Sequence, residues 1–180
     1  TSKAEVAEAA LDAGADIIND ISSFRLDPRV LVRIARRGAG LILMHMQGVP
    51  KTMQVRPRYG DVVAEVKAFL SGRMDVAEAY GLPRESIVVD PGIGFGKNHP
   101  DNLALIAGLR ALAGLGRPVM VGVSRKSFIG KILDAPPQDR LEGTIAAAVV
   151  SRINGAHILR VHDVRAVKRA VRVAEAILSG

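Results

Sequence analysis

The chain has 180 residues, 48% of them apolar, enough to bury one substantial core, so a single domain over residues 1–180 is expected. It has no cysteine, which removes disulfide frameworks and thiolate metal sites, and no apolar run approaches the roughly 20 residues of a membrane span. The formal charge is +7, from 25 Lys+Arg against 18 Asp+Glu, but the basic residues are scattered and aromatics make up only 3%. A nucleic-acid surface would more often interleave its cations with stacking rings, so neither nucleic acid nor membrane is expected as a partner. Small acidic substrates account for the excess more simply. The opening Thr1-Ser2-Lys3-Ala4-Glu5 lacks the pattern of a secretory signal, and a cytoplasmic location is expected.

In chain order, Ser2 with Glu5 forms a candidate capping box for a first helix that Gly14 ends. Residues 15–20 read as a buried strand. Asp27-Pro28 suit the start of a helix running to Gly38. Residues 40–46 are the second strand, followed by a long polar loop to about Tyr59. A helix from about Asp61 to Tyr80 comes next, with Gly72 as its weak point. The third strand, Ile87-Val88-Val89-Asp90, leads into the glycine-rich Pro91-Gly92-Ile93-Gly94-Phe95-Gly96-Lys97. A helix over about 101–113, a strand over 118–123, a helix over 140–153 and a strand over 157–161 follow. The last helix, 164–178, sets Val164, Val167, Val171, Ala174 and Leu178 on one face.

Continuous apolar strands alternating with amphipathic helices indicate an α/β fold with a parallel sheet under helical cover. Asn19, His45, Asp90, Ser124 with Lys126, and Arg160 with His162 all fall at or just past the C-terminal ends of successive strands. In a flat sheet the outer strands would stand roughly 19 Å apart, four spacings of about 4.8 Å. Closure brings these side chains to one mouth, so a (β/α)8 barrel is preferred over an open doubly wound sheet. Only about five βα units are present, which makes the expected architecture a partial barrel. About three units are expected to be missing upstream, and exposed sheet edges should follow.

Three segments carry the chemistry. Asp90, at the end of a buried strand, can accept paired hydrogen bonds from an amidine-like edge; it can equally cap a turn. Gly122-Val123-Ser124-Arg125-Lys126-Ser127 opens a helix at Ser127, where free N–H groups and Lys126 favour an anion; a solvated surface loop fits too. Leu159-Arg160-Val161-His162-Asp163 offers a guanidinium that can stack on a flat ring or bind phosphate, while Asp163 caps the last helix. Asn19 can read donors and acceptors on a heterocycle or simply form a turn. His45, between Met44 and Met46, reads as a satisfied core residue, and His99 has no assigned role. No His, Asp and Glu spacing suits a metal, and no nucleophile–base pair is evident.

Taken together, IINDIS (17–22), LMHMQG (43–48), PKTMQ (50–54), VDPGIGFGK (89–97), GVSRKSFIG (122–130) and RVHD (160–163) resemble, in order and spacing, the motifs of the dihydropteroate synthase family. The likeness covers essentially the whole chain. It implies condensation of 6-hydroxymethyl-7,8-dihydropterin diphosphate with 4-aminobenzoate, giving 7,8-dihydropteroate and diphosphate in folate synthesis. The resemblance implies that Asn19, Met44, Asp90, Gly122, Lys126 and Arg160 hold the pterin. It assigns Phe95, Lys126 and Ser127 to 4-aminobenzoate, Arg160 and His162 to diphosphate, and catalytic roles to Lys126, Arg160 and His162. It further implies a homodimer, sulfonamide sensitivity, and Mg²⁺ held by an asparagine with no counterpart in this chain. The isolated 180-residue chain is expected to be inactive although its full-length parent is a transferase. Rival readings are a pterin-dependent methyltransferase, which needs no anion site at Lys126, Ser127, Arg160 and His162, and a non-catalytic binding module built from the same barrel.

Overall fold

Five parallel strands in sequential order form a curved sheet clothed by eight helices, and the computed structural model describes all of residues 1–180. The strands are β1 (Ile17–Asp20), β2 (Gly40–Met44), β3 (Ile87–Asp90), β4 (Met120–Val121) and β5 (Ile158–Leu159). Strand β2 lies between β1 and β3, with Asp20 opposite Leu43 and Met44 opposite Asp90. A bridge between Val89 and Val119, and the 2.9 Å bond from Val89 N to Pro118 O, join β3 to the β4–β5 pair. This register aligns the C-terminal ends of all the strands on one rim. The architecture is a partial (β/α) barrel, as the strand-end polar residues implied.

The helices are α1 (Ala4–Asp12), α2 (Arg29–Arg37), α3 (Val62–Ala79), α4 (His99–Ala107), α5 (Leu109–Ala113), α6 (Ser127–Leu133), α7 (Leu141–Ile153) and α8 (Val164–Ser179). Their apolar stripes close the core from outside: Val62, Val66, Leu70, Met74 and Ala77 form the buried face of α3. Inside, Leu41, Leu43, Ile87, Val89, Val119 and Val121 are fully buried. Each such side chain contributes on the order of 2 kcal/mol when removed from water.

Several local expectations are corrected. Ser2 and Glu5 form no capping box: α1 begins after Lys3, and its Ala4 N–H is held instead by the Asp27 carboxylate at 3.0 Å. Asp163 does not cap α8, because its carboxylate is taken by the Arg125 guanidinium at 2.9 Å. The helix expected over 101–113 starts earlier, on an Asn98–Asp101 capping box, and breaks at Gly108. Gly72 leaves α3 unbroken. Of the apolar face expected on α8, Val167 is buried and Val171 half-buried, whereas Val164 and Leu178 are exposed. On the outer strands, Ile17 and Ile158 are 51% and 40% exposed, the open edges expected of a partial barrel.

The β1 end is fixed by Asp20, which is fully buried. One carboxylate oxygen accepts from Ser22 N and Ser22 Oγ, both at 2.9 Å, and the other from Phe24 N at 2.5 Å. These bonds hold Ser23 and Phe24 at positive φ, 49° and 53°, where side chains crowd the backbone. Ser23 Oγ then donates to Met44 O at 2.8 Å, tying this turn to the end of β2. Asp20→Ala should cost about 3 kcal/mol in urea unfolding, since two buried N–H groups lose their acceptor.

Candidate active site

A cavity of about 340 Å³ opens on the strand-end rim. Each strand supplies a wall. Asn19 lies one residue before the end of β1, Met44 ends β2, Asp90 ends β3, Gly122 and Ser124 follow β4, and Arg160 and His162 follow β5. Phe95 and Lys126 complete the lining from the loops beyond β3 and β4. Eight of the nine residues that the family resemblance assigns to the site therefore meet in one space, joined by Ser124, whereas His45 of the expected rim does not line it. Ser127 is the ninth; it starts α6 and opens instead onto an adjoining cavity of about 220 Å³ with Gln54, His99 and Lys131.

Two oxygens on one side of the main cavity lack full protein partnership. Asn19 Oδ1 is buried with no hydrogen bond. Asp90, only 6% exposed, takes one bond, from Gly92 N to its Oδ1 at 2.7 Å. Burial raises its pKa to about 6, against the Gly92 N–H and the charges of Lys97, Lys126 and Arg160, which favour the ionised form. A carboxylate kept dry with acceptor capacity to spare is suited to a flat ligand with adjacent N–H donors.

Glycine is required where the loop after Asp90 crosses β2. A Cβ on Gly92, which sits at φ +69°, would lie 1.9 Å from His45 O. One on Gly96, at φ +59°, would lie 2.6 Å from Gln47 O. Gly122 differs: a methyl there meets only Arg160 O, at 3.9 Å, so the room it leaves belongs to the cavity. The loop is also pinned by Asn102, whose Oδ1 accepts from Gly94 N at 2.6 Å.

Lys126, Arg160 and His162 line the same cavity from the segments after β4 and β5. Lys126 Nζ lies 4.5 Å above the Phe95 ring, and burial first, then Arg160, draw its pKa down while Asp90 opposes the shift. Arg160 and His162 are exposed at the mouth. His162 is oriented by Ser124 Oγ, which accepts its backbone N–H at 3.2 Å and lies 2.9 Å from Nδ1. When the hydroxyl donates to Nδ1, the ring proton sits on Nε2, free for an anion.

His45 is the satisfied core residue expected: it is buried, packs edge-on to Phe69 at 4.8 Å, and contacts Lys97 through Nδ1. Burial, Lys97 and Arg25 depress its pKa to about 3, so its imidazole is neutral. Lys97 and Ser124 were under-read. Lys97 stood at the end of a quoted motif without a role. A lysine closing a glycine-rich, apolar loop with no adjacent acid was the available signal.

The fold and rim define an α/β barrel of the kind that carries its cavity at the C-terminal ends of the strands. The pterin-binding enzyme family matches residues 1–162. The chain is 48% identical over 178 residues to dihydropteroate synthase of Synechocystis sp., covering 98% of this chain and 62% of that protein. Among solved structures, the Yersinia pestis dihydropteroate synthase with a sulfonamide drug complex superposes with a TM-score of 0.97 at 42% identity, covering 100% of this chain and 65% of that one. The Xanthomonas albilineans enzyme in complex with 7,8-dihydropteroate superposes at 0.93 with 41% identity, covering 100% and 66%. The chain belongs to the pterin-binding enzyme family, among the dihydropteroate synthases, and spans about 62% of the length of its curated relative.

The raised Asp90 pKa has a consequence for stability. An acid whose folded pKa exceeds its unfolded value of 3.8 stabilises the fold most at low pH, and that contribution is lost as pH rises through about 6. Asp90→Asn keeps the acceptor for Gly92 N and removes the buried charge. It should therefore be more stable than the parent at pH 8, by on the order of 2 kcal/mol, with the gain fading between pH 6 and 4 in urea titrations.

Proposed function

We propose that the protein carrying this chain is a dihydropteroate synthase, joining 6-hydroxymethyl-7,8-dihydropterin diphosphate to 4-aminobenzoate with release of diphosphate. The observation that carries this reading is the shared cavity: under-satisfied oxygens of Asn19 and Asp90 line the same space as Lys126, Arg160 and His162. The 2-amino and N3–H edge of a pterin would donate to Asp90, and Asn19 would pair with the ring's remaining polar edge. Met44 would pack on the ring face, and the space beside Gly122 would admit it.

The reaction is a substitution at the exocyclic methylene carbon. The C–O bond to diphosphate breaks with its electron pair leaving on oxygen, and the dihydropterin delocalises the resulting cation. Arg160 and His162 would hold the departing anion from the mouth of the cavity, where their N–H donors face the charge that develops on the leaving oxygen. The aminobenzoate nitrogen then bonds to the methylene carbon and sheds a proton. Lys126, between Phe95 and the pterin wall, would border both substrates. Ser127, on the adjoining cavity, would receive the aminobenzoate carboxylate, and sulfonamides would compete there.

Mg²⁺ would neutralise diphosphate oxygens when bound. The family resemblance places its protein ligand, an asparagine, outside residues 1–180. No step above passes through it. A cytoplasmic homodimer completes the proposal. Its support is that no helix is long and apolar enough to cross a membrane, and that Val173, Ile177 and Leu178 leave apolar surface on α8.

Calorimetry with the pterin diphosphate on the full-length protein tests the reading. Asp90→Asn and Arg160→Ala should each weaken binding by at least about 1.5 kcal/mol, the scale of hydrogen bonds to charged groups. Unchanged affinity in both variants would overturn it.

A further inference from the structure

Lys97 is only 3% exposed, yet it forms no ion pair. Its Nζ lies 2.9 Å from His45 Nδ1, 3.0 Å from Gly92 O and 2.9 Å from Phe95 O, with His45 O further off at 3.4 Å. Three close acceptors match the three N–H bonds of an ammonium group. The neutral His45 ring can supply the acceptor at Nδ1, with its own proton on Nε2. Gly92 O also accepts from Phe95 N at 3.0 Å, so the loop is closed twice at one carbonyl. The loop begins at Asp90 and carries Phe95, the ring beneath Lys126. Lys97 lines none of the main cavity and opens instead onto the adjoining one.

Burying a cation costs free energy that only well-placed acceptors offset, and a packed apolar side chain would avoid that cost. We propose that Lys97 is a positioning residue: its ammonium fastens the Asp90–Lys97 loop to the end of β2 and keeps the Asp90 carboxylate charged to receive the pterin. The inference rests on the pterin reading of the cavity. The charged groups facing Asp90 are Lys97 from its own loop, Lys126 before α6 and Arg160 after β5, and all three favour its ionised form. Those facing Lys97 are His45, Asp90 and Asp101; burial draws its pKa down to about 7 while the two carboxylates draw it back up.

The test is affinity for 6-hydroxymethylpterin, which carries no phosphate to titrate, measured on the full-length protein between pH 5 and 8. The parent should lose affinity as pH falls through about 6. In Lys97→Met the acid limb should move up by at least about half a pH unit, with about threefold weaker binding at pH 6.5. Lys131→Met, which removes an exposed cation from the same adjoining cavity, should leave the limb in place. A Lys97→Met limb coincident with the parent's, whether affinity is kept or uniformly reduced, would overturn the inference while leaving the pterin reading intact. No saturable pterin binding by the parent at any pH would instead remove the reading and the inference with it. Should Lys97→Met fail to fold, the Nζ ¹⁵N resonance of the parent decides. A slowly exchanging ammonium at pH 6.5 supports the role, and a neutral amine or a freely exchanging ammonium contradicts it.

Discussion

A single buried carboxylate organises this site. Asp90 ends the third strand in a position too dry for an ordinary aspartate, so burial drives its pKa up, and three surrounding cations with one backbone N–H limit the rise. The glycines after it follow from the same requirement. The loop must pass so close to His45 O that Gly92 has no substitute, and this passage brings Phe95 and Lys97 back over the strand ends. The carboxylate's environment is thus a consequence of backbone packing, and Lys97 answers the loop's carbonyls from inside.

The curvature of the sheet makes the rest possible. Residues as far apart in sequence as Asn19 and His162 line one cavity because successive parallel strands turn their C-terminal ends to one rim. Part of the excess positive charge of the chain is spent here: Lys126 and Arg160 line the same cavity as Asn19 and Asp90. Elsewhere cations have structural work. Arg29 and Arg33 bind Glu5 and Glu8 across α1 and α2, Arg73 covers the Phe24 ring at 3.9 Å, and Arg125 takes Asp163.

Most of this arrangement was legible in the sequence. Strands of buried β-branched residues ending in Asn, Asp or Arg signal both a parallel sheet and its functional edge, and the motif order pointed to the family. What stayed hidden depended on side chains choosing partners across the fold. Asp27 caps the helix before it in sequence, and Asp163 prefers a guanidinium to its own helix, because tertiary neighbours offered better-placed donors. The capping box at Ser2 and Glu5 was locally plausible, but α1 begins after Lys3 with Asp27 on its first N–H, and Glu5 pairs with Arg29 at 3.1 Å. Lys97 was missed for a similar reason: a lysine reads as surface until four acceptors are seen converging on it.

The most direct measurement is the ¹³Cγ titration of Asp90 by NMR, with and without a bound pterin. A midpoint near 6 in the free protein, falling well below that when pterin N–H groups donate to the carboxylate, is the expected result. A midpoint in the ordinary aspartate range that does not move on adding pterin would mean that Asp90 is neither dry nor the group that holds the ligand.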